Sequence, residues 1–213
     1  MTFRSTASAL YQRLFAQLYD PITWAVERWM FEPHRRYLVQ DLDGRILDLG
    51  CGTGAMFPYY NEVLSLEVRA VDPDPFMLRK ASRRASALNL TVDLTEADGQ
   101  SLPYQDASFD AVISSLVLCT VPDVDATLDE LARVLRPGGE LRVFEHVKAE
   151  GWRGAVQQGL EPLWHEVARG CHLRRDTERR LSHHSNFEVE ELTHLPIGIT
   201  PVRPFIRGKL RRR

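Results

Sequence analysis

The chain has 213 residues, of which 44% are hydrophobic and 26% charged, and its formal net charge at pH 7 is −2. This length is enough for a single domain with a proper core, and the small net charge creates no field that would recruit nucleic acid. The sequence contains no run of about 18 apolar residues, the length that a membrane-spanning helix requires. The first ten residues lack the apolar stretch of a secretory signal. The scattered cysteines Cys51, Cys119 and Cys171 predict neither a disulfide framework nor a zinc pattern, which favours a cytoplasmic location.

The N-terminal segment 9–30 repeats apolar residues at helical spacing, which is typical of an amphipathic helix. Such a helix can close over a ligand site as a lid, or it can lie on a membrane surface. The segment holds Arg13 and few other cations before Arg28, which favours the lid. Peripheral membrane contact remains the alternative, and the oligomeric state is left open.

From residue 45 onward, predicted strands and helices alternate. The strands are 45–50, 67–73, 91–98, 109–118 and 139–147, and the intervening helices are 55–64, 75–88 and 123–136. Repeated strand–helix–strand units of this kind predict a parallel sheet with helices on both faces. After residue 150 the pattern loosens into a helical stretch at 152–169 and two strand-like segments at 187–195 and 202–210.

Three glycines, Gly50, Gly52 and Gly54, lie between the first strand and its helix, which is where open α/β sheets bind ligands. Their spacing differs from the G-x-G-x-x-G of dinucleotide sites, and the turn has no Gly-Lys-Ser/Thr ending. No lysine or arginine lies between positions 46 and 60, whereas Asp48 stands just before the glycines. An acidic turn suits a cationic ligand such as S-adenosyl-L-methionine, which carries a sulfonium and an ammonium.

Two more acids follow later predicted strands. Asp72 ends the second strand, 18 residues after Gly54, where a carboxylate can accept both ribose hydroxyls of an adenosyl ligand. Asp98 ends the third predicted strand and could accept a hydrogen bond from an adenine amino group. The ordered set of turn, Asp72, Asp98 and the later VLRPGG is more specific than the turn alone.

Four stretches, LDLGCGTG, AVDPDPFML, ADGQSLPYQDASFDAV and ELARVLRPGGEL, resemble the motifs of class I S-adenosylmethionine-dependent methyltransferases. The resemblance covers roughly residues 40–147. It implies an α/β, Rossmann-like three-layer sandwich with a seven-stranded, mostly parallel sheet whose last strand is antiparallel. The whole chain is then one methyltransferase domain: lid helices at 1–40, a cofactor-binding core at 41–147, and an acceptor-site insertion with the last strands at 148–213.

Site residues carry over by position from this resemblance. The glycine turn would wrap the methionine part of the cofactor, Met77 would line the adenosine, Asp98 and Gly99 would meet the adenine, and Ser114 would face the ammonium. Tyr19 and Asp20 of the lid would stand near the methionine end. The predicted cofactor-binding residues are Tyr19, Asp48, Gly50, Cys51, Gly52, Thr53, Gly54, Asp72, Pro73, Met77, Asp98, Gly99 and Ser114.

The rest of the chain resembles a narrower group. LVLCTVPD, FEHVKAEGWRGAVQQGLEPLWHEVARGCHLRRDT and PVRPFIRG are similar to segments of the small alkyl-thiol methyltransferases, the methyltransferase-like proteins. This implies a small, apolar thiol as the methyl acceptor. The core also resembles quinone-ring C-methyltransferases and bacterial phospholipid N-methyltransferases, so a ring carbon or an amine are alternative acceptors. A non-catalytic module that binds the cofactor is a further alternative.

His146 follows the fifth predicted strand and is the candidate catalytic residue, because a histidine can take the proton of a thiol near neutral pH. The alternative role for His146 is to orient a loop. No metal site is predicted: His183 and His184 lack a third ligand at helical spacing, and Cys119 and Cys171 are expected to be structural.

Overall fold

A computed structural model describes residues 13–17, 20–21, 27–63 and 65–213. Residues 13–17 are helical, and a π-helical turn at Glu27–Phe31 leads into the first named helix. The helices are α1 Glu32–Val39, α2 Phe57–Tyr60, α3 Pro75–Ala87, α4 Val124–Val134, α5 Gly151–Val167 and α6 Thr177–His183. The strands are β1 Gly44–Leu49, β2 Leu66–Asp72, β3 Val92–Glu96, β4 Phe109–Ser115, β5 Leu135–His146, β6 Phe187–Leu195 and β7 Phe205–Arg212.

The seven strands form one sheet in the order β3-β2-β1-β4-β5-β7-β6. Strands β1 to β5 pair in parallel, and β7 pairs antiparallel with both β5 and β6. This is the predicted Rossmann-like α/β fold with an antiparallel last strand. The strand order reverses between β1 and β4, so the crevice for a ligand opens at the carboxyl ends of these two strands.

Two apolar clusters cover the faces of the sheet. Consecutive strand residues enter different clusters: Leu47 packs with the buried leucines of α4, whereas Ile46 packs with residues of α1 and α3. Because side chains alternate across a strand, the clusters lie on opposite faces. Because both faces of the sheet are buried, the sequences of the parallel strands are nearly continuous apolar runs.

Helix caps hold the ligand edge in place. Asp74 accepts a hydrogen bond from the backbone N–H of Phe76 at 2.7 Å and begins α3, and Pro75 occupies its first turn, as the sequence predicts. Asp123 caps α4 in the same way, through the N–H groups of Asp125 and Ala126. Helix α3 therefore begins just after the carboxyl end of β2, and α4 begins after the loop that follows β4.

Several predicted boundaries were wrong. The helix predicted at 55–64 is the single turn Phe57–Tyr60. Strand β4 ends at Ser115 rather than at 118, because Leu116 adopts φ +64° and the next two N–H groups donate to a carboxylate instead of a strand. Helix α4 stops at Val134 and β5 begins at once, with a bulge before Glu140, so the strand starts four residues before the predicted position 139.

Over the ranges described, no helix combines the length and the apolar character that a bilayer crossing requires.

Candidate active site at the carboxyl edge of the sheet

The glycine turn follows β1 and has the backbone that a ligand cradle needs. Gly50, Gly52 and Gly54 have φ of +60°, +56° and +81°, which side chains rarely adopt. A Cβ on Gly50 would lie 2.7 Å from Val117, and one on Gly54 would lie 2.6 Å from Phe57. A Cβ on Gly52 would meet no described residue within 4 Å, so this backbone is open toward the described part of the chain.

Asp72 lies at the end of β2 and faces the turn. Its Oδ2 accepts from the N–H of Gly52 at 2.9 Å, and its Oδ1 accepts from the N–H of Asp74 at 2.8 Å. Burial raises the pKa of Asp72, although these two N–H groups oppose the shift. Each carboxylate oxygen has two lone pairs, so each retains one for a ribose hydroxyl.

Asp48 is buried inside β1, directly before the turn. Burial raises its pKa to about 7, while the nearby Tyr60 hydroxyl and the Arg35 guanidinium oppose the shift. Its Oδ2 has no hydrogen-bond partner among the described residues. A buried carboxyl group with this raised pKa is stabilised in its charged form by a cation. The two buried carboxyl groups therefore fit an adenosyl ligand that carries ribose hydroxyls, a sulfonium and an ammonium.

The other predicted cofactor residues are distributed around this edge. Cys51, Thr53, Gly54, Met77 and Gly99 are buried, whereas Pro73 and Asp98 are exposed. Asp98 lies two residues beyond the end of β3 rather than in the strand, and its Oδ1 accepts from the N–H of Gln100 at 2.9 Å. Tyr19 lies outside the described residues.

Ser114, which was predicted to face the ammonium, lies inside β4 and is fully buried. Its hydroxyl donates to Glu145 Oε1 at 2.9 Å, and the same oxygen accepts from the N–H groups of Val117 and Leu118. Glu145 thus anchors the loop that follows β4, an interaction that no local sequence signal indicated.

The described part of the N-terminal segment lies against the glycine turn and α3. Asp20 Oδ1 accepts from the Thr53 hydroxyl at 2.6 Å, and its Oδ2 pairs with Lys80 at 2.8 Å and Arg84 at 3.3 Å. Lys80 also donates to the carbonyl of Ala16. Although burial acts to raise it, the pKa of Asp20 is lowered by hydrogen bonds from Lys80 and Thr53 and by the charge of Arg84.

The acceptor side of the edge contains the candidate catalytic histidine. His146 is the last residue of β5 and is buried, and its Nε2 lies 2.9 Å from the Sγ of Cys171. Cys119 Sγ belongs to the same group, in which the sulfur and imidazole ligand atoms all lie within 4.8 Å of one another. A hydrogen bond from Cys119 and the neighbouring His146 lower the pKa of Cys171 to about 4, against the effect of burial.

Sequence spacing did not predict this cluster. The two cysteines are 52 positions apart and were expected to be structural. The signal that could have found it is topological: Cys119 follows β4 and His146 ends β5, and neighbouring parallel strands end at the same edge. Cys171 joins them only because α5 folds back over that edge, where Gln157 donates to the carbonyls of residues 147, 201 and 203.

Two surface cavities of about 590 and 430 Å³ lie elsewhere, and neither is lined by a predicted site residue. One lies beside α6, and the other lies at the amino end of β1. At the carboxyl edge, Asp20 contacts Thr53, and Arg169 pairs with Asp74. These contacts bring the N-terminal segment and the turn after α5 close to the glycine turn and to the start of α3.

Comparisons with known proteins agree with this geometry. A family model described as a methyltransferase domain matches residues 47–143. The human thiol S-methyltransferase TMT1A is 36% identical over 171 residues, covering 76% of this chain and 68% of that protein. A phosphatidylethanolamine N-methyltransferase of Cereibacter sphaeroides is 28% identical over 195 residues, covering 85% and 88%. A structure of an S-adenosylmethionine-dependent methyltransferase from Methanosarcina mazei has a TM-score of 0.65 at 20% identity, covering 80% and 92%.

The fold, the glycine turn and the ordered acids define a class I S-adenosylmethionine-dependent methyltransferase, and S-adenosylmethionine is its cofactor. Within that class, the chain belongs to the family of the thiol S-methyltransferases TMT1A and TMT1B. The cofactor supplies a methyl group activated by the sulfonium. The protein has to hold the cofactor, align the acceptor and exclude water from the site.

Proposed function

We propose that this enzyme transfers the methyl group to a small, apolar thiol. The observation that carries this proposal is His146, a buried imidazole at the carboxyl end of β5, on the side of the edge away from Asp72. A thiol must lose its proton to become a good nucleophile, and His146 is the group proposed to take it. The 36% identity to TMT1A supports the same acceptor class.

The surroundings of His146 favour an apolar acceptor. Its neighbours are the sulfur atoms of Cys119 and Cys171 and the ring of Phe205, whose centroid lies 6.2 Å from that of the imidazole. Helix α5, which folds over this end, exposes a stripe of large apolar side chains: Trp152, Leu160, Leu163 and Val167. A lipophilic molecule could approach along this stripe.

We also propose roles for the remaining predicted residues. Asp72 holds the ribose, the turn from Gly50 to Gly54 holds the methionine part, and Asp48 balances its positive charge. Residues 1–40 act as a lid, supported by the contacts of Asp20 with Thr53 and Lys80. The cytoplasmic location stays a prediction.

An acceptor screen tests the proposal. The purified protein is incubated with S-adenosylmethionine labelled in its methyl group and, separately, with an aryl or alkyl thiol, phosphatidylethanolamine vesicles and a hydroquinone. We expect label in the thioether product and little in the other two. Transfer to the lipid amine, as the name of the Cereibacter relative suggests for that protein, or to the ring carbon would overturn the thiol assignment and leave the cofactor site intact.

A further inference from the structure

Three side chains with metal-ligating atoms converge from distant parts of the chain. Cys119 comes from the loop after β4, His146 from the end of β5 and Cys171 from the turn after α5. Their ligand atoms all lie within 4.8 Å of one another, and all three residues are buried. Among the described residues, no fourth cysteine, histidine or acid belongs to this group.

The backbone holds the three segments together. The N–H of His172 donates to the carbonyl of Cys119 at 2.9 Å, which ties the Cys171 turn to the loop after β4. Arg175 donates to the carbonyl of Leu118 at 2.9 Å and also to that of Val121. The group is therefore positioned by a backbone hydrogen bond and by the Arg175 guanidinium, contacts that do not involve the three ligand side chains themselves.

We propose that Cys119, His146 and Cys171 form a binding site for Zn²⁺. Two thiolates and one imidazole are the ligand set of catalytic zinc sites that keep one position open. Tetrahedral zinc at ordinary bond lengths places its ligand atoms about 3.5–3.8 Å apart. The present separations bracket this range, because His146 Nε2 and Cys171 Sγ are 2.9 Å apart and the whole group lies within 4.8 Å.

The charges around the group balance with the cation in place. Two thiolates neutralise Zn²⁺, and the imidazole stays neutral as a ligand. The next charged groups are the Glu145 carboxylate and the Arg175 guanidinium, both of which act electrostatically on Cys119. These two charges oppose each other. Burial of the loaded site therefore leaves no net charge uncompensated, which a buried ion requires.

The open fourth position gives the site a role that rests on the proposed function. An acceptor thiol that binds there releases its proton to solvent, because a thiol coordinated to zinc is deprotonated. Its sulfur then forms a bond to the methyl carbon as the carbon–sulfonium bond breaks. The electron pair of that bond stays on S-adenosylhomocysteine, and the neutral thioether leaves. In the zinc-free protein, His146 remains available as the base.

The first experiment measures metal directly. The reduced full-length protein is stripped with a chelator, reloaded with ZnCl₂ or CoCl₂ under anaerobic conditions and desalted. We expect one tightly held zinc per chain. The cobalt form should show the intense visible bands of a tetrahedral site and a near-ultraviolet thiolate-to-cobalt charge-transfer band. Neither readout requires knowledge of the acceptor.

Variants assign the ligands. Cys119→Ser, Cys171→Ser and His146→Gln should each weaken zinc binding by roughly 100-fold or more, above the 10–100-fold typical of residues that only support a ligand. The Cys→Ser variants should also weaken the charge-transfer band. Cys51→Ser is the matched control, because Cys51 is a buried free cysteine outside the group, and it should keep full metal stoichiometry. Far-ultraviolet circular dichroism and a cooperative thermal unfolding transition of each variant show that it has folded.

Three results would overturn the zinc site. They are zinc well below one per chain in the reduced protein, a cobalt spectrum without thiolate character, and equal metal loss in Cys51→Ser. The screen separates this inference from the proposed function. Thiol methylation by metal-free protein that does not bind zinc refutes only the metal site. Stoichiometric zinc with no transfer to any thiol refutes only the acceptor.

Discussion

The two sides of the ligand edge are built in different ways. On the cofactor side, the key groups are the glycine turn and Asp72, and each lies at or directly after a parallel strand end. On the acceptor side, His146 meets Cys119 and Cys171 across 27 and 25 positions of sequence. The first side follows from local strand–turn–helix patterns. The second depends on where α5 and its following turn are packed.

This difference predicts how each side responds to change. A cofactor-side substitution should weaken binding of S-adenosylhomocysteine and leave the acceptor chemistry of the bound enzyme largely intact. An acceptor-side substitution should do the reverse. The following predictions test that separation, beginning with the largest expected effect.

In the zinc-free protein, replacing His146 with alanine should slow thiol methylation by about 10²-fold or more at pH 7, the lower end for general acid–base catalysis. The loss should shrink at pH 9, because a thiol with a pKa near 8.5 ionises without help. Rates at saturating cofactor across this pH range are the measurement. His183→Ala is the control, since His183 is exposed on α6. A loss of the same size at both pH values would assign His146 to orientation instead.

Replacing Asp72 with alanine should weaken binding of S-adenosylhomocysteine by about 1.5–3 kcal/mol, the range for hydrogen bonds to a charged group. Titration calorimetry measures this directly. Asp93→Asn is a matched control, because Asp93 lies on neighbouring β3 and is exposed. Unchanged affinity in Asp72→Ala, or tighter binding of NAD than of S-adenosylhomocysteine, would contradict the proposed ribose contact.

Asp48 should make the apo protein less stable as the pH rises. Its folded pKa of about 7 lies above the ordinary aspartate value of 3.8, so between about pH 4 and 7 the folded state binds more protons than the unfolded state. The stabilising contribution is complete below pH 4 and is lost as the pH rises through 7. Replacing Asp48 with asparagine should remove roughly 2–3 kcal/mol of the decline between pH 5 and pH 8.

Urea unfolding of both proteins at pH 5 and pH 8 gives the comparison. Asp72 and Glu145 also have raised pKa values from burial, so the difference between the wild type and Asp48→Asn isolates Asp48. Parallel pH profiles in the two proteins would show that Asp48 is already ionised in the fold.

The smallest expected effect concerns the lid. Hydrogen exchange of residues 8–30 should slow when S-adenosylhomocysteine is added, because the segment packs against Thr53 and α3 through Asp20. Asp20→Asn should weaken this protection by a few-fold, since its charge pairs with Lys80 and Arg84 are partly exposed. Exchange that is equal with and without ligand would argue against a lid, and strong binding of the apo protein to liposomes would favour a membrane-surface helix.

The sequence by itself determined the order of the core elements, the glycine turn and the position of Asp72 at the end of β2. Those features depend on short-range rules: apolar runs, caps such as Asp74, and glycines at positive φ. They were predictable because each rule acts within a few residues. The end of β4 at Ser115 and the start of β5 at Leu135 were not predicted. The competing hydrogen bonds from Val117 and Leu118 to Glu145 are non-local.

Only the tertiary structure decided which side chains surround His146. Cys119 and Cys171 have no periodic relation in sequence, and neither has a local partner that would mark it as a ligand. They meet because neighbouring parallel strands end at one edge of the sheet and because Gln157 fastens α5 over it. Contacts between groups far apart in the chain depend on how whole elements pack. Local sequence propensity therefore does not predict these contacts.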